Sequence, residues 1–244
     1  MVNKFTSNVN ENAEENERPA QISVSLRRLS RECRKDILCS HVYHTLWLGV
    51  ISKEEYFFLL RYHYIIRSHL ENLIDSLNGV FVVENKFTGE IKQFSIDKYV
   101  GKAYKKSISL KDDLDALSME SANNVEASEK VELLLNYMDR VCEVYSAGLL
   151  GILYMFEEAV TYAGPRIANA LNSTLNLNGA GTRYLRGDDG QKKKFWQFRK
   201  DLDLIEDFQT QTNIVTASNI TYHLYRDMLD PRASVRQGKP QLLN

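Results

Sequence analysis

Glu157, Glu158 and Thr161 stand in the most apolar stretch of this 244-residue chain, Leu149 to Gly164, and are the polar groups with most to explain. Leu149, Ile152, Leu153, Phe156 and Val160 recur at three- and four-residue steps, which predicts a helix with one core face and these polar groups beside it. Carboxylates in a core are costly unless paired. The expectation is therefore that Glu157 and Glu158 turn outward or find Lys and Arg partners. The competing reading makes them part of a site.

Three other groupings could carry chemistry. Cys33, Cys39, His41 and His44 invite a zinc reading, but their spacing matches no standard zinc module and no second ligand pair follows. His63, His69 and Glu71 share one predicted helix. No Glu-x-x-His or Asp-x-x-x-His occurs, and His63 and His69, six apart, do not share a face, which disfavours a di-iron carboxylate site. Neither zinc nor di-iron is expected. Lys192, Lys193 and Lys194 with Trp196 and Arg199 could suggest a nucleic-acid surface; Asp188, Asp189 and Asp201 neutralise the cluster locally, so a solvated helix face is expected and nucleic acid is not.

The elements that must position these residues read as helical. Only 4 prolines and 12 glycines occur in the chain, and long stretches carry none. Hydrophobic residues make up 43% and charged ones 26%, enough for a sizeable core in one domain. A net charge of −1 gives no broad field toward nucleic acid or anionic membrane. No apolar run reaches the roughly 18 residues of a membrane span, and Met1 to Phe5 lead into polar sequence unlike a secretory signal. Three cysteines form no disulfide framework, so an intracellular, by default cytoplasmic, reducing location is expected.

In chain order, residues 1–20 are polar and are expected to be a disordered tail. Leu26, Leu29, Cys33 and Ile37 predict a first amphipathic helix with a basic side of Arg27, Arg28, Arg31, Arg34 and Lys35. His41 to Gly49 is a short apolar segment with a glycine stop. Ser52 and Glu55 form a capping-box signature for a helix running to about Leu77, apolar on two sides. Val80–Val83 and Ile91–Phe94, with turn residues between, predict a β-hairpin insertion at 79–95. Helices follow at about 96–117 and 131–145. Pro165 predicts a kink or restart after the organising helix, and a last helix is expected over about 202–229, with Ile205, Phe208, Val215, Ile220 and Leu224 inward. Residues 231–244 are read as a frayed tail. The fold class is all-α: a single helical domain over 21–230 with a small hairpin.

The segment Leu150-Gly151-Ile152-Leu153-Tyr154-Met155-Phe156-Glu157, with Ala163-Gly164 and Ile167-Ala168 after it, resembles the distal helix of the bacterial, phytochrome-associated branch of the heme oxygenase family, which carries Leu-Gly-x-Leu-Tyr-x-x-Glu-Gly-x-x-x-Gly-Gly there. Gly179-Ala180-Gly181-x-Arg183-Tyr184-Leu185-Arg186-Gly187, Ser52-Lys53-Glu54-Glu55-Tyr56 and Leu26-Arg27-x-x-Ser30-Arg31 add collinear similarity over about residues 24–229.

The resemblance implies a heme-oxygenase-like helical bundle in which the first and distal helices sandwich a heme. A first-helix histidine then ligates iron, and distal glycines let backbone approach the porphyrin. This sequence departs from both. The family spacing puts Arg34 where the histidine stands, and guanidinium does not deprotonate to become a ligand. Glu158-Ala159-Val160-Thr161-Tyr162-Ala163-Gly164 keeps one glycine of the run, and the family glutamate aligns at Glu157 or Glu158. His41 and His44 follow Arg34 by two and about three turns, and either could ligate from a shifted position if the helix continues; the plainer reading of each is structural. The positions implied for a heme pocket are Arg27, Arg34, His41, His44, Glu157, Glu158, Thr161 and Gly164. Two functions follow. The favoured one is a pseudoenzyme of the family: a binding or scaffold protein for heme or another small hydrophobic ligand, or for a protein partner. The alternative is an active oxidoreductase cleaving heme to biliverdin, iron and carbon monoxide, with an electron-donor reductase and His41 or His44 as axial ligand.

Overall fold

A computed structural model describes residues 21–84, 89, 91–95, 105–117 and 128–229. The expected tails, the helix start at 96–104 and the 118–126 loop lie outside the described residues.

The basic first helix is two helices, α1 (Ile22–Leu29) and α2 (Arg31–Leu38), followed by α3 (His41–Leu48). Serines make the breaks. The Ser30 hydroxyl donates to the Leu26 carbonyl at 2.6 Å, competing with the backbone ladder, and Ser40 N-caps α3 by accepting from the Tyr43 amide. One consequence is that Leu29, expected inward, is exposed, while Leu26, Cys33 and Ile37 are buried. Gly49 closes α3 in the left-handed conformation, φ 70°, where a side chain would be strained.

The capping box forms as expected: Ser52 accepts from the Glu55 amide and Glu55 reaches back to the Ser52 amide. It starts α4 (Lys53–Ser76), which buries residues on more than one side, including Arg67 and Glu71. The strands β1 (Val80–Glu84) and β2 (Ile91–Ser95) pair antiparallel with Phe81 opposite Phe94. Phe81 is fully buried and Val82 exposed, the alternation of a ribbon lying with one face on the core.

Helix α5 (Ser107–Leu117) begins where Glu71 accepts from the Lys106 and Ser107 amides at 2.6 and 3.0 Å. Helix α6 (Glu129–Tyr145) buries Val131, Leu134, Met138 and Val141, the face its spacing predicts. The organising stretch is α7 (Gly148–Tyr162), and α8 (Gly164–Thr174) restarts at Pro165 after Ala163, since proline is accommodated in a first turn. The short α9 (Arg183–Arg186) hangs on Asp113 of α5, whose carboxylate accepts from the Arg183 and Tyr184 amides at 2.7 and 2.8 Å.

The last predicted helix starts later than expected: α10 (Gln191–Leu202) ends where it was to begin, and the final helix is α11 (Phe208–Leu229). The carboxylate of Asp207 accepts from the Thr210 amide and hydroxyl at 2.7 and 2.6 Å, capping the new start. The inward face of α11 is Ile214, Ala217, Ser218, Thr221, Tyr222 and Tyr225, while Phe208 is exposed. Small residues win this face because α11 lies directly on α7. A Cβ on Gly151 would stand 2.0 Å from the Ile214 carbonyl oxygen, so no larger residue fits the crossing. Helix α7 is consequently buried almost all round, from Gly148 to Glu158.

Candidate functional site

The two neighbouring glutamates point to different places. Glu157 faces α4, where Arg67 Nη2 donates to its Oε1 at 2.7 Å and Arg67 also lies 3.9 Å from Glu71. Arg67 is fully buried, a geometry that holds its charge because both carboxylates raise its pKa against the opposing cost of burial. Glu158, about 100° further round α7, faces α2. Arg34 Nη1 donates to Glu158 Oε1 at 2.8 Å, Tyr222 OH donates to Oε2 at 2.7 Å, and Tyr154 OH lies 3.4 Å from Oε1. Both carboxylates are buried and both found arginines, so the outward alternative is set aside.

Arg34 and Glu158 stand on the wall of a cavity of about 490 Å³, a volume typical of small-molecule sites. Its first wall is α1 and α2, with Arg27, Arg34, Ile37 and Leu38; its opposite wall is α7, with Met155, Glu158, Ala159 and Tyr162. Trp196 and Arg199 of α10 and Tyr222 and Tyr225 of α11 complete it, with Tyr43 from α3. Arg34 Nη2 also donates to the Arg27 carbonyl at 2.6 Å, so its guanidinium ties the two walls and both segments of the broken first helix.

Of the residues assigned by sequence, Arg27, Arg34 and Glu158 line this cavity, and the others do not. His41 and His44 are exposed on α3. The same-face argument required the helix to continue past Leu38, and the Ser40 cap ends it. Glu157 is committed to Arg67. Thr161 is buried with its hydroxyl accepting from Gln191 Nε2 at 3.3 Å. Gly164 packs backbone to backbone, where a Cβ would stand 2.2 Å from the Leu185 carbonyl oxygen, and lines only a smaller adjoining space of about 30 Å³.

One imidazole that the sequence reading did not assign to the site lines the smaller adjoining space. His63 lies behind Tyr225, its Nε2 2.7 Å from Tyr225 OH and its Nδ1 3.4 Å from Tyr184 OH. Burial, aided by the Arg67 charge, pushes its pKa down to about 4, so it is neutral near pH 7. Tyr225, whose ring centroid is 5.6 Å from that of His63, lines the larger space, and His63 does not. Cys33, next to Arg34, is buried but does not line the cavity; burial raises its thiol to about 11, so it holds its proton. Among the described residues no three His, Cys, Asp or Glu side chains converge to hold a metal ion, and no helix is long and apolar enough to cross a membrane.

The Heme oxygenase family model matches residues 20–231. The chain belongs to the heme oxygenase family. The fold agrees with solved members. Heme oxygenase from Leptospira interrogans superposes with TM-score 0.71 at 16% identity, over 86% of this chain and 98% of that one. Heme oxygenase-1 of the cyanobacterium Synechocystis sp. PCC6803, in complex with heme, gives 0.69 at 17% identity over 88% and 93%. Heme oxygenase-2 of the same organism, in complex with heme and NO, gives 0.67 at 16% identity over 90% and 94%. No curated protein matches the chain.

Trp196, Arg199, Tyr222 and Tyr225 are cavity residues that sequence reasoning missed. A signal was present: each pair is three apart, one aromatic-cationic and one aromatic-aromatic, on the faces of consecutive helices.

Proposed function

We propose that this member of the heme oxygenase family is a ligand-binding protein that does not degrade heme. One observation carries the reading: Arg34, at the position the family resemblance gives to the ligand histidine, lies on the cavity wall in a 2.8 Å ion pair with Glu158. The donor set is wrong for an imidazole-ligated heme. Among the described residues the lining contains no histidine and no cysteine. Three of the lining phenols are kept protonated: burial raises Tyr222, Tyr225 and Tyr43 above the usual phenol range, and Tyr222 donates to Glu158. On the opposite helix the side chains of Ala159 and Tyr162 occupy positions where the resemblance implies backbone, and Glu158 is paired with Arg34.

What the cavity keeps is shape and apolarity, with the heme complexes of the two Synechocystis proteins supporting a tetrapyrrole as the kind of molecule it takes. The test is a hemin titration followed by absorbance, then addition of an electron donor, on wild type, Arg34→His, His41→Ala and His44→Ala. Wild type is expected to take up hemin one-to-one without releasing biliverdin. The two alanine variants should give the wild-type spectrum, because both histidines are exposed on α3, and Arg34→His should shift it toward imidazole ligation. Biliverdin formation by the wild type overturns the proposal.

A further inference from the structure

We infer that Tyr225 and His63 form a proton-coupled redox pair, in which Tyr225 gives an electron to a one-electron oxidant in the cavity, a metal complex or an oxidised macrocycle, and its phenolic proton to His63. Placement is the first observation. Tyr225 lines both the large cavity and the smaller space behind it, and His63 lines the second alone. The phenol oxygen stands 2.7 Å from His63 Nε2, a short bond for its type. Its direction follows from the partners. His63 is neutral near pH 7 and burial keeps the proton on Tyr225, so the phenol donates and Nε2 accepts. The imidazole proton is then on Nδ1, 3.4 Å from Tyr184 OH. Tyr43 is also hydrogen-bonded to Tyr225, and with the Tyr225 proton committed to His63 it is the Tyr43 hydroxyl that donates. Tyr43, Tyr225, His63 and Tyr184 thus form one chain of donors, running from the cavity wall inward.

That chain supplies what oxidation of a buried phenol requires. Removing an electron from the ring makes its hydroxyl a far stronger acid than any imidazolium. The Tyr225 O–H bond therefore breaks as the electron leaves, and an N–H bond forms at His63 Nε2, a base already within reach. The products are a neutral phenoxyl radical, an imidazolium and an oxidant reduced by one electron. With a pKa of about 4, His63 accepts a proton from so strong an acid and gives it back readily when an electron returns, so the pair can cycle. The phenoxyl oxygen then accepts from two donors, His63 and Tyr43. Its ring is buried and edge-on to Phe156 with centroids 5.9 Å apart, which shields the radical. Other oxidisable rings of the lining are worse placed. Arg199 stands 4.8 Å from the Trp196 ring centroid, a cation that opposes the positive charge of indole oxidation. Tyr222 would release its proton to Glu158 and discharge the carboxylate that pairs with Arg34.

The experiment photo-oxidises the full chain, without added ligand, using ruthenium tris-bipyridine with persulfate as the electron sink, and follows radicals by freeze-quench electron paramagnetic resonance. The chain has 13 tyrosines, so high-field spectra are needed to separate phenoxyls by the hydrogen bonds at their oxygen. Wild type, Tyr225→Phe, Tyr222→Phe and His63→Gln are compared, with circular dichroism melts to check the fold. Wild type is expected to show a doubly hydrogen-bonded phenoxyl that Tyr225→Phe loses and Tyr222→Phe keeps. His63→Gln, which accepts a hydrogen bond but not the proton, should slow formation of that component by about tenfold or more. In wild type the same component should form more slowly in deuterium oxide, a readout that a purely structural His63 does not move and that depends on no variant folding. Absence of this phenoxyl from wild type, its survival in Tyr225→Phe, equal rates in folded His63→Gln and wild type, or equal rates in the two solvents each overturns the inference. Hemin enters none of these measurements, so their failure leaves the proposed binding function standing, and failure of hemin to bind leaves the pair standing.

Discussion

His63 should make the fold lose stability between pH 6.5 and pH 4, and replacing it with glutamine should remove that loss. The imidazole sits between Tyr225 and Tyr184, edge-on to Phe156 with ring centroids 6.3 Å apart, and near the buried Arg67. Its surroundings reject a second positive charge, and its pKa falls from the ordinary 6.5 to about 4. The sign follows from proton uptake. Above pH 6.5 both folded and unfolded chains hold His63 neutral, and its contribution is fully present. Between 6.5 and 4 the unfolded chain takes the proton first, so stability drops as pH falls, until the folded form protonates as well. The shift corresponds to a loss of about 2 kcal/mol at pH 5 and about 3 kcal/mol below pH 4. Urea unfolding of wild type and His63→Gln at pH 7 and pH 5 isolates the effect, because the carboxylates contribute equally to both proteins. The stability difference between the two pH values should be smaller in the variant by about 2 kcal/mol. Equal pH dependence in the two proteins would refute the reasoning and mean that His63 is protonated or solvated in the fold.

Two further substitutions probe what holds the cavity walls. Gly151→Ala adds a methyl 2.0 Å from the Ile214 carbonyl oxygen; the helix gains up to about 1 kcal/mol of propensity, but pushing α7 off α11 costs more. A net loss of about 1–3 kcal/mol is expected in thermal or urea unfolding, with weaker ligand binding because both helices line the cavity. Arg67→Met strands Glu157 and should destabilise by about 3–5 kcal/mol, whereas Arg67→Met with Glu157→Gln should recover much of it; chemical denaturation of both separates the cost of an unpaired charge from the worth of the pair.

The sequence displays its helices well where a stripe of large apolar residues does the packing. Leu149, Ile152, Leu153, Phe156 and Val160 are all buried as their spacing predicts, and so are Val131, Leu134, Met138 and Val141. The capping box at Ser52 and the restart at Pro165 were equally legible, because each rests on a local hydrogen bond or steric rule. Two kinds of feature were not. Breaks at Ser30 and Ser40 leave the apolar spacing uninterrupted, so periodicity carries the eye through them, and the same error kept His41 and His44 on the face of Arg34. Faces packed through small residues were missed as well: on α11 the reading took the large Phe208, Ile220 and Leu224, whereas the contact with α7 is made at Gly151 and selects Ala217 and Ser218. That rotation hid Tyr222 and Tyr225, and with them one wall of the cavity.

The pair Glu157–Glu158 shows why neighbouring residues of one type need not share a role. A step of one residue on a helix turns the side chain about 100°, so one carboxylate enters the bundle and the other the cavity. Inside the bundle Glu157 pairs with Arg67 at 2.7 Å, and Arg67 also lies 3.9 Å from Glu71. At the cavity, Glu158 gathers Arg34, Tyr222 and Tyr154 and thereby fixes α2 against α7 and α11. In a histidine-ligated arrangement the cofactor itself would bridge the two walls. Here Arg34 and Glu158 bridge them through protein groups alone, so the cavity's form does not depend on what fills it. Arg34 thereby ties α2 to α7 directly, and together with Arg27 and Arg199 it gives the cavity wall three guanidiniums.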